Sequence, residues 1–273
     1  MTVDSPLDIA RGSEYVSRSR GNALMLLCSV CGSDAGEPIG VVGTFAEKSD
    51  DTIAIRCGRC STIYLTPELS TRTASRRAVV LMPRRVREWS RRLGPDARVL
   101  CMDDVAGGHA SDVPRQQVDD RYDLILLPLT LETAKNPIDV MRHVRSRLRS
   151  GGCAAIIVHN TDSSCFRVFG GRHWSGYRSV PAGQHFNSAA LEHLSRSAGL
   201  RIMTSATSFC SAGWLASAAH WLRDWGARES VVKIFTAQWY LPQALAMVLE
   251  AFSVLRGRGS LLVAFAKGSD DAD

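Results

Sequence analysis

Lysine is nearly missing from this chain: 4 residues in 273, against 29 arginines. The formal charge of +6 is therefore carried almost wholly by guanidinium groups. Nine of the arginines fall between Arg72 and Arg98. A face built from that run would attract phosphate, sulfate, an acidic carrier protein or nucleic acid. The ordinary reading of such a run is a solvated helix face. No aromatic-rich strand of the kind that stacks bases is present, which argues against RNA or DNA as the partner. No apolar run approaches the roughly 20 residues that cross a bilayer, so a membrane role is not expected. The opening MTVDSPLDIARGSEYVSRSR has no apolar h-region of a secretory signal and reads as a flexible lead-in, 1–22, to a cytoplasmic protein. Internal repeats and low-complexity segments are absent as well.

Against that background, eight cysteines without an export signal do not make a disulfide scaffold, because cytosolic thiols stay reduced. Four of them fall in two C-x-x-C pairs, Cys28-Ser-Val-Cys31 and Cys57-Gly-Arg-Cys60. The intervening stretch is long enough for a pair of short strands, VVGTF and TIAI. Each pair turns two thiolates toward one point, and two pairs complete a tetrahedron with no open position. That pattern predicts a structural zinc, not a catalytic one. Gly32 and Gly58 suit the tight knuckle backbone. Cys101, Cys153, Cys165 and Cys210 sit singly in apolar settings and read as small core residues.

From about Ala78 onward, short apolar runs alternate with helical patterns, the signature of a parallel sheet covered by helices. AVVLM (78–82) reads as a first strand, RRVREWSRRLG as a helix, and RVLCMDD (98–104) as a second strand. YDLILLPL (122–129) is a third, PIDVMRHVRSRLRSGG a helix stopped by glycine, and CAAIIVHN (153–160) a fourth. AALEHLSRSAGL, a strand near RIMTSAT, a long helical stretch from Trp214 to Gly257 and the strand SLLVAFAK complete the chain. The expected division is a zinc-ribbon domain over 23–70 and an α/β domain over 71–268 with a helical insertion at about 211–240. An acidic tail, 269–273, follows.

Several segments carry a family resemblance: CGRCSTIYLTPELS, YDLILLPLTLETAKNP, LRSGGCAAIIVHNTDSS, FGGRHWSGY, HFNSAALEHLSRSAGL and LRGRGSLLVAFAK. In order and spacing the chain resembles class I S-adenosylmethionine-dependent methyltransferases with an N-terminal zinc-binding domain, common in sugar and natural-product pathways. The resemblance implies a Rossmann-like, mostly parallel sheet, partly truncated here. Ligands would bind outside the carboxyl ends of its strands, which puts Asp103, Glu132, His159 and Asn160 on the functional rim. The family's first strand is followed by a glycine-rich turn that admits the cofactor. Set against it, Leu81-Met82-Pro83-Arg84-Arg85 has no glycine. Only 17 residues separate Asp104 from Tyr122, too few for the usual adenine wall. Asp103 or Asp104 stands where the family holds the ribose. The S-adenosylmethionine site therefore reads as eroded.

Three functions follow from these parts. One is a ring-closing intramolecular displacement without the cofactor, on a small amine-bearing intermediate with a sulfate- or phosphate-type leaving group. It would use His185, His159 or Glu132 as base and Arg84, Arg85 or Arg172 as anion holder. Asp103, Asn160, Trp174 and Tyr177 join the expected substrate-binding set. The second is ordinary methyl transfer to a small or carrier-bound substrate. The third is a non-catalytic subunit that docks an acidic protein or a second subunit.

Overall fold

A computed structural model of the chain describes residues 27–42, 52–66, 83–93, 96–102, 121–170, 172–179, 183–236 and 239–269. The expected strand at 78–82, the lead-in 1–22, Asp103 and the last residues of the tail lie outside the described residues.

Two sheets organise the chain. The front sheet is antiparallel and runs β1 (Gly36–Val42), β2 (Thr52–Cys57), β3 (Ile63–Thr66) and β7 (Gln184–His185). The central sheet has the order β4 (Val99–Cys101), β5 (Tyr122–Pro128), β6 (Leu148–His159), β9 (Leu261–Gly268), β8 (Leu200–Ser208). β4, β5 and β6 are parallel, and β9 runs back between β6 and β8. The sheet is thus mixed, with a single reversed strand.

Helices cover both faces of the central sheet, so its strands read as continuous apolar runs and side chains divide by period two. On one face Ile125, Leu127, Ile156 and Val158 pack with Met141 and Val144 of α3 (Pro137–Arg147) and with Leu191 and Leu194 of α6 (Ser188–Ser197). On the other, Leu124, Leu126, Ile157 and Phe265 meet Val86 and Trp89 of α1 (Arg84–Arg92), with the Trp89 and Phe265 rings stacked at 5.0 Å. Three short helices lie among these elements: α2 (Thr130–Thr133), α4 (Ser164–Phe169) and α5 (Gly176–Ser179). Asn187 caps α6 by accepting the Ala190 N–H at 2.9 Å. α3 ends at Arg147, ahead of the glycines expected to stop it. Leu148 is already in β6, and Gly151 (φ 75°) instead lies where the pairing of β5 and β6 shifts register.

The strand order changes the register of the expected cofactor loop. RVLCMDD is expected as the second strand. It pairs directly with β5, Val99 opposite Leu124. A doubly wound sheet has the strand order 3-2-1-4-5-6 with the glycine turn after strand one, and β4, β5 and β6 fall on its strands one, four and five, so that YDLILLPL, third in sequence order, takes the place of strand four. The stretch to compare with that turn is then Asp103-Asp104-Val105-Ala106-Gly107-Gly108, which does contain glycine. Leu81–Arg85 is not its counterpart, because Pro83 leads into α1 and Arg84 and Arg85 form that helix's first turn. One part of the truncation stands. Only residues 102–121 separate β4 from β5, enough for one crossover but not for the two strands a doubly wound sheet places beyond strand one. Among the described residues β4 is the sheet edge, which leaves Cys101 exposed instead of in the core.

The helical segment expected from Trp214 to Gly257 folds as α7 (Ala212–Asp224), α8 (Glu229–Thr236) and α9 (Tyr240–Leu255), so that helix extends beyond the 211–240 bounds given to the insertion. It is fastened to the sheet by Glu250, a fully buried carboxylate. Oε1 accepts the N–H groups of Cys210 and Ser260 at 3.0 and 2.7 Å. Oε2 accepts Trp214 Nε1–H and the Ser260 hydroxyl, both at 2.8 Å. Replacing Glu250 with alanine orphans four donors around a buried position, each costing about 1–3 kcal/mol. The expected result is a fall in Tm of about 10 °C or more in thermal denaturation. A change within a degree or two would show that the carboxylate does not anchor the helix.

Candidate functional site

The two C-x-x-C turns fold alike. In the first, Cys28 N–H donates to Ser33 O at 2.8 Å and Gly32 N–H to Cys28 O at 2.7 Å. In the second, Cys57 N–H donates to Thr62 O at 2.8 Å and Ser61 N–H to Cys57 O at 3.0 Å. Each closes on a left-handed residue just after its second cysteine, Gly32 (φ 68°) and Ser61 (φ 64°). Gly58 does not take that role, and its N–H donates to Ala35 O at 2.6 Å instead. The four sulfur atoms lie within 4.8 Å of one another, with Cys28–Cys60 at 3.6 Å and Cys31–Cys57 at 3.5 Å. A zinc ion with Zn–S bonds of about 2.3 Å needs sulfurs about 3.8 Å apart, so the cluster fits a closed tetrathiolate. The hydrogen bond from Cys28 holds the Cys60 thiol down to about 4 and pushes Cys28 itself up. A cation at the centre ends that competition by taking all four as thiolates.

The second site lies at the carboxyl ends of β5 and β6. After β5 the chain turns sharply at Leu129, whose φ of 56° is left-handed and strained for a bulky residue. This turn starts α2 and brings Glu132 back beneath the end of β6. Glu132 is fully buried. Its Oε1 accepts the His159 backbone N–H at 2.7 Å, and Oε2 lies 2.9 Å from His159 Nδ1. With Nδ1–H donated to the carboxylate, the lone pair of the neutral ring is on Nε2. The His159 side chain is 14% exposed. Its burial disfavours the imidazolium, but the charge and hydrogen bond of Glu132 outweigh this and raise its pKa above the ordinary value.

An aromatic cluster stands beside this dyad. Trp174 meets His159 edge-on at 6.0 Å and His185 at 5.2 Å, and Tyr177 lies 5.3 Å from His185 and 5.0 Å from Trp174. Gly176 allows the Trp174 ring to fold back, since a Cβ there would lie 2.3 Å from it. His185 is fully buried on β7, which pairs with β3 of the front sheet through Ile63. Burial, and secondarily the nearby His159, pushes its pKa down to about 3, so it stays neutral and is a poor proton acceptor. Both of its ring nitrogens, Tyr177 Oη and Arg56 Nε are buried without hydrogen-bond partners among the described residues.

Of the residues singled out from sequence, Glu132, His159, Trp174, Tyr177 and His185 come together, as do the four cysteines. Arg172 does not join them. Its Nη2 pairs with Asp224 Oδ1 at 2.9 Å, while His173 Nε2 takes Oδ2 at 3.0 Å. Asn160 is occupied internally, with Nδ2 donating to Gly259 O and Oδ1 accepting Asp162 N–H. Arg84 and Arg85 lie in the first turn of α1. Gln184 and Arg56 were not evident from sequence. Gln184 donates to Ala134 O at 3.0 Å and ties β7 to the turn after α2. Gln184 sits in a two-residue strand that pairs with β3, over 100 residues away, and no local pattern marks it or Arg56.

Part of the chain matches a known family. Residues 101–205, less than half of the chain, match the family described as Methyltransferase domain, beginning at the last residue of β4. No curated protein matches the chain. Among solved structures, the mitomycin 7-O-methyltransferase MmcR is 11% identical with a TM-score of 0.32, covering 56% of this chain and 31% of its own. The [4+2]-cyclase SpnF is 14% identical with a TM-score of 0.31, covering 56% and 52%. The CcbJ methyltransferase from Streptomyces caelestis is 13% identical with a TM-score of 0.26, covering 55% and 61%. The alignments thus span less than two thirds of each of these proteins. No helix among the described residues is long and apolar enough to cross a membrane.

Proposed function

From a chain whose residues 101–205 match a methyltransferase domain, we propose an enzyme that closes a ring by displacement at carbon within a small amine-bearing molecule, with His159 as the general base. The observation that carries this reading is the Glu132–His159 pair at the strand ends. Glu132 orients the ring and stabilises the imidazolium, as the carboxylate of a catalytic triad does. The substrate ammonium gives its proton to Nε2. The freed nitrogen pair forms the C–N bond as the C–O bond to a sulfate- or phosphate-type group breaks, and that electron pair leaves with the oxygen. Trp174 beside His159 suits a cationic amine, and the unpaired polar atoms of His185 and Tyr177 suit a polar substrate. The four thiolates would hold zinc as a closed structural cross-link with no position open for this step.

The short stretch between β4 and β5 supports a reading without the adenosine half of S-adenosylmethionine. The strand whose acid would hold the ribose has no room between β4 and β5. Methyl transfer from that cofactor is the second reading, favoured by the family match and by Gly107 and Gly108 after β4. Titration calorimetry separates the two. No heat of binding at millimolar S-adenosylmethionine is expected, and a micromolar Kd would overturn the cofactor-free reading while leaving His159 as base for a methyl acceptor.

A further inference from the structure

α9 is turned inside out. Its inward stripe is small or polar, Ala246, Glu250 and Ser253, whereas its large apolar residues face outward. Leu241, Leu245, Val248, Phe252 and Leu255 are between 52% and 86% exposed. Their spacing alternates four and three residues, the seam of a coiled coil. Tyr240 and Leu249 widen the face, and Trp221, Trp225 and Val231 of the neighbouring helices are exposed as well. Nothing in the folding of the described residues rewards this arrangement, and a patch of this size marks an interaction surface.

We propose that α9 is the interface of a homodimer, in which the seam of one copy packs against the same seam of another. Three features select a second copy as the occupant. A heptad seam is complementary to itself across a two-fold axis. A stable interface takes roughly 800 Å² from each partner, and the large apolar side chains of α9, with Trp221, Trp225 and Val231 beside them, are exposed to supply it. Between Tyr240 and Leu255 the only charged residue is the buried Glu250, so two copies of a +6 chain meet here without opposing like charges. A membrane-surface helix, by contrast, carries lysine and arginine along its polar face. The next basic residue in the sequence is Arg256, just past the helix end, and it lies over the Phe252 ring at 4.0 Å. The seam also backs onto the reactive site. Glu250 binds Ser260, and Ser260 O accepts the N–H of Asn160, next to His159.

Sedimentation equilibrium on the full chain tests this. The expected mass is twice 29.8 kDa at micromolar concentration. The double substitution Leu245→Asp, Phe252→Asp should raise the dimer Kd by about 100-fold or more, since two central apolar anchors are lost. Its far-UV circular dichroism and zinc content should be unchanged. Should that variant not fold, Val248→Cys in a Cys101→Ser background decides: at the centre of the seam it should oxidise to a cross-linked dimer, and its failure to cross-link overturns the proposal. A wild-type chain that stays monomeric overturns it too, as does a dimer indifferent to the double substitution. Co-flotation of a monomer with anionic vesicles would assign the face to lipid, and dimerisation only after deletion of residues 1–26 would assign it to that segment.

Discussion

Stripping the metal from the four-cysteine site is expected to unfold the front sheet and abolish turnover at a site that contains none of the four ligands. Cys57 ends β2, and the second knuckle leads straight into β3. β3 pairs with β7 through Ile63 opposite His185 and Tyr64 opposite Gln184, and Leu65 N–H donates to Gly183 O at 2.9 Å. The strand carrying His185 thus depends on a sheet that the cysteines fasten. Structural zinc contributes about 10–16 kcal/mol in small domains, comparable to the whole stability of a fold. A strong chelator, or Cys57→Ser, should therefore release one zinc per chain, shift the emission of the buried Trp174 to longer wavelength, and remove activity in parallel. Loss of zinc with unchanged emission and turnover would show that the ribbon and the reactive site are energetically separate.

The cysteine site is legible in sequence because its information is local: two turns, each completed within six residues. The apolar runs of β5, β6 and β9 are legible for a similar reason, since strands buried on both faces have no polar alternation to obscure them. The place of RVLCMDD in the sheet was not. Sequence order makes it a second strand, and only the pairing of Val99 with Leu124 moves it beside strand four, taking the glycine comparison from Leu81–Arg85 to residues 103–108. Likewise the spacing suggests three candidate bases without ranking them. The ranking depends on partners distant in sequence. Glu132 reaches His159 across 27 residues, whereas His185 is enclosed by aromatic rings and has no carboxylate partner among the described residues. The outward face of α9 is not legible in sequence either, because apolar residues at helical spacing ordinarily point into a core.

Replacing His159 with alanine should lower kcat by about 100-fold or more, the usual contribution of a positioned general base. His185→Phe should cost far less, since a histidine held down to about 3 is already a poor base. The pH dependence tells the two apart. His159 must be neutral to accept a proton, and Glu132 raises its pKa, so the acid limb of kcat/KM should lie above the ordinary histidine value of about 6.5. In Glu132→Gln the attraction is lost while the burial remains, and the limb should move to lower pH as the rate falls. Stability should run the opposite way. Because the folded pKa of His159 is raised, its pairing stabilises fully below the unfolded value and fades as pH rises through the folded one. His185, depressed to about 3, contributes stability that is present above about 6.5 and is lost as pH falls toward its folded value. His185→Phe should therefore soften acid denaturation without moving the kinetic limb, and Glu132→Gln should move the limb. An acid limb unmoved by Glu132→Gln would remove His159 from the role of base.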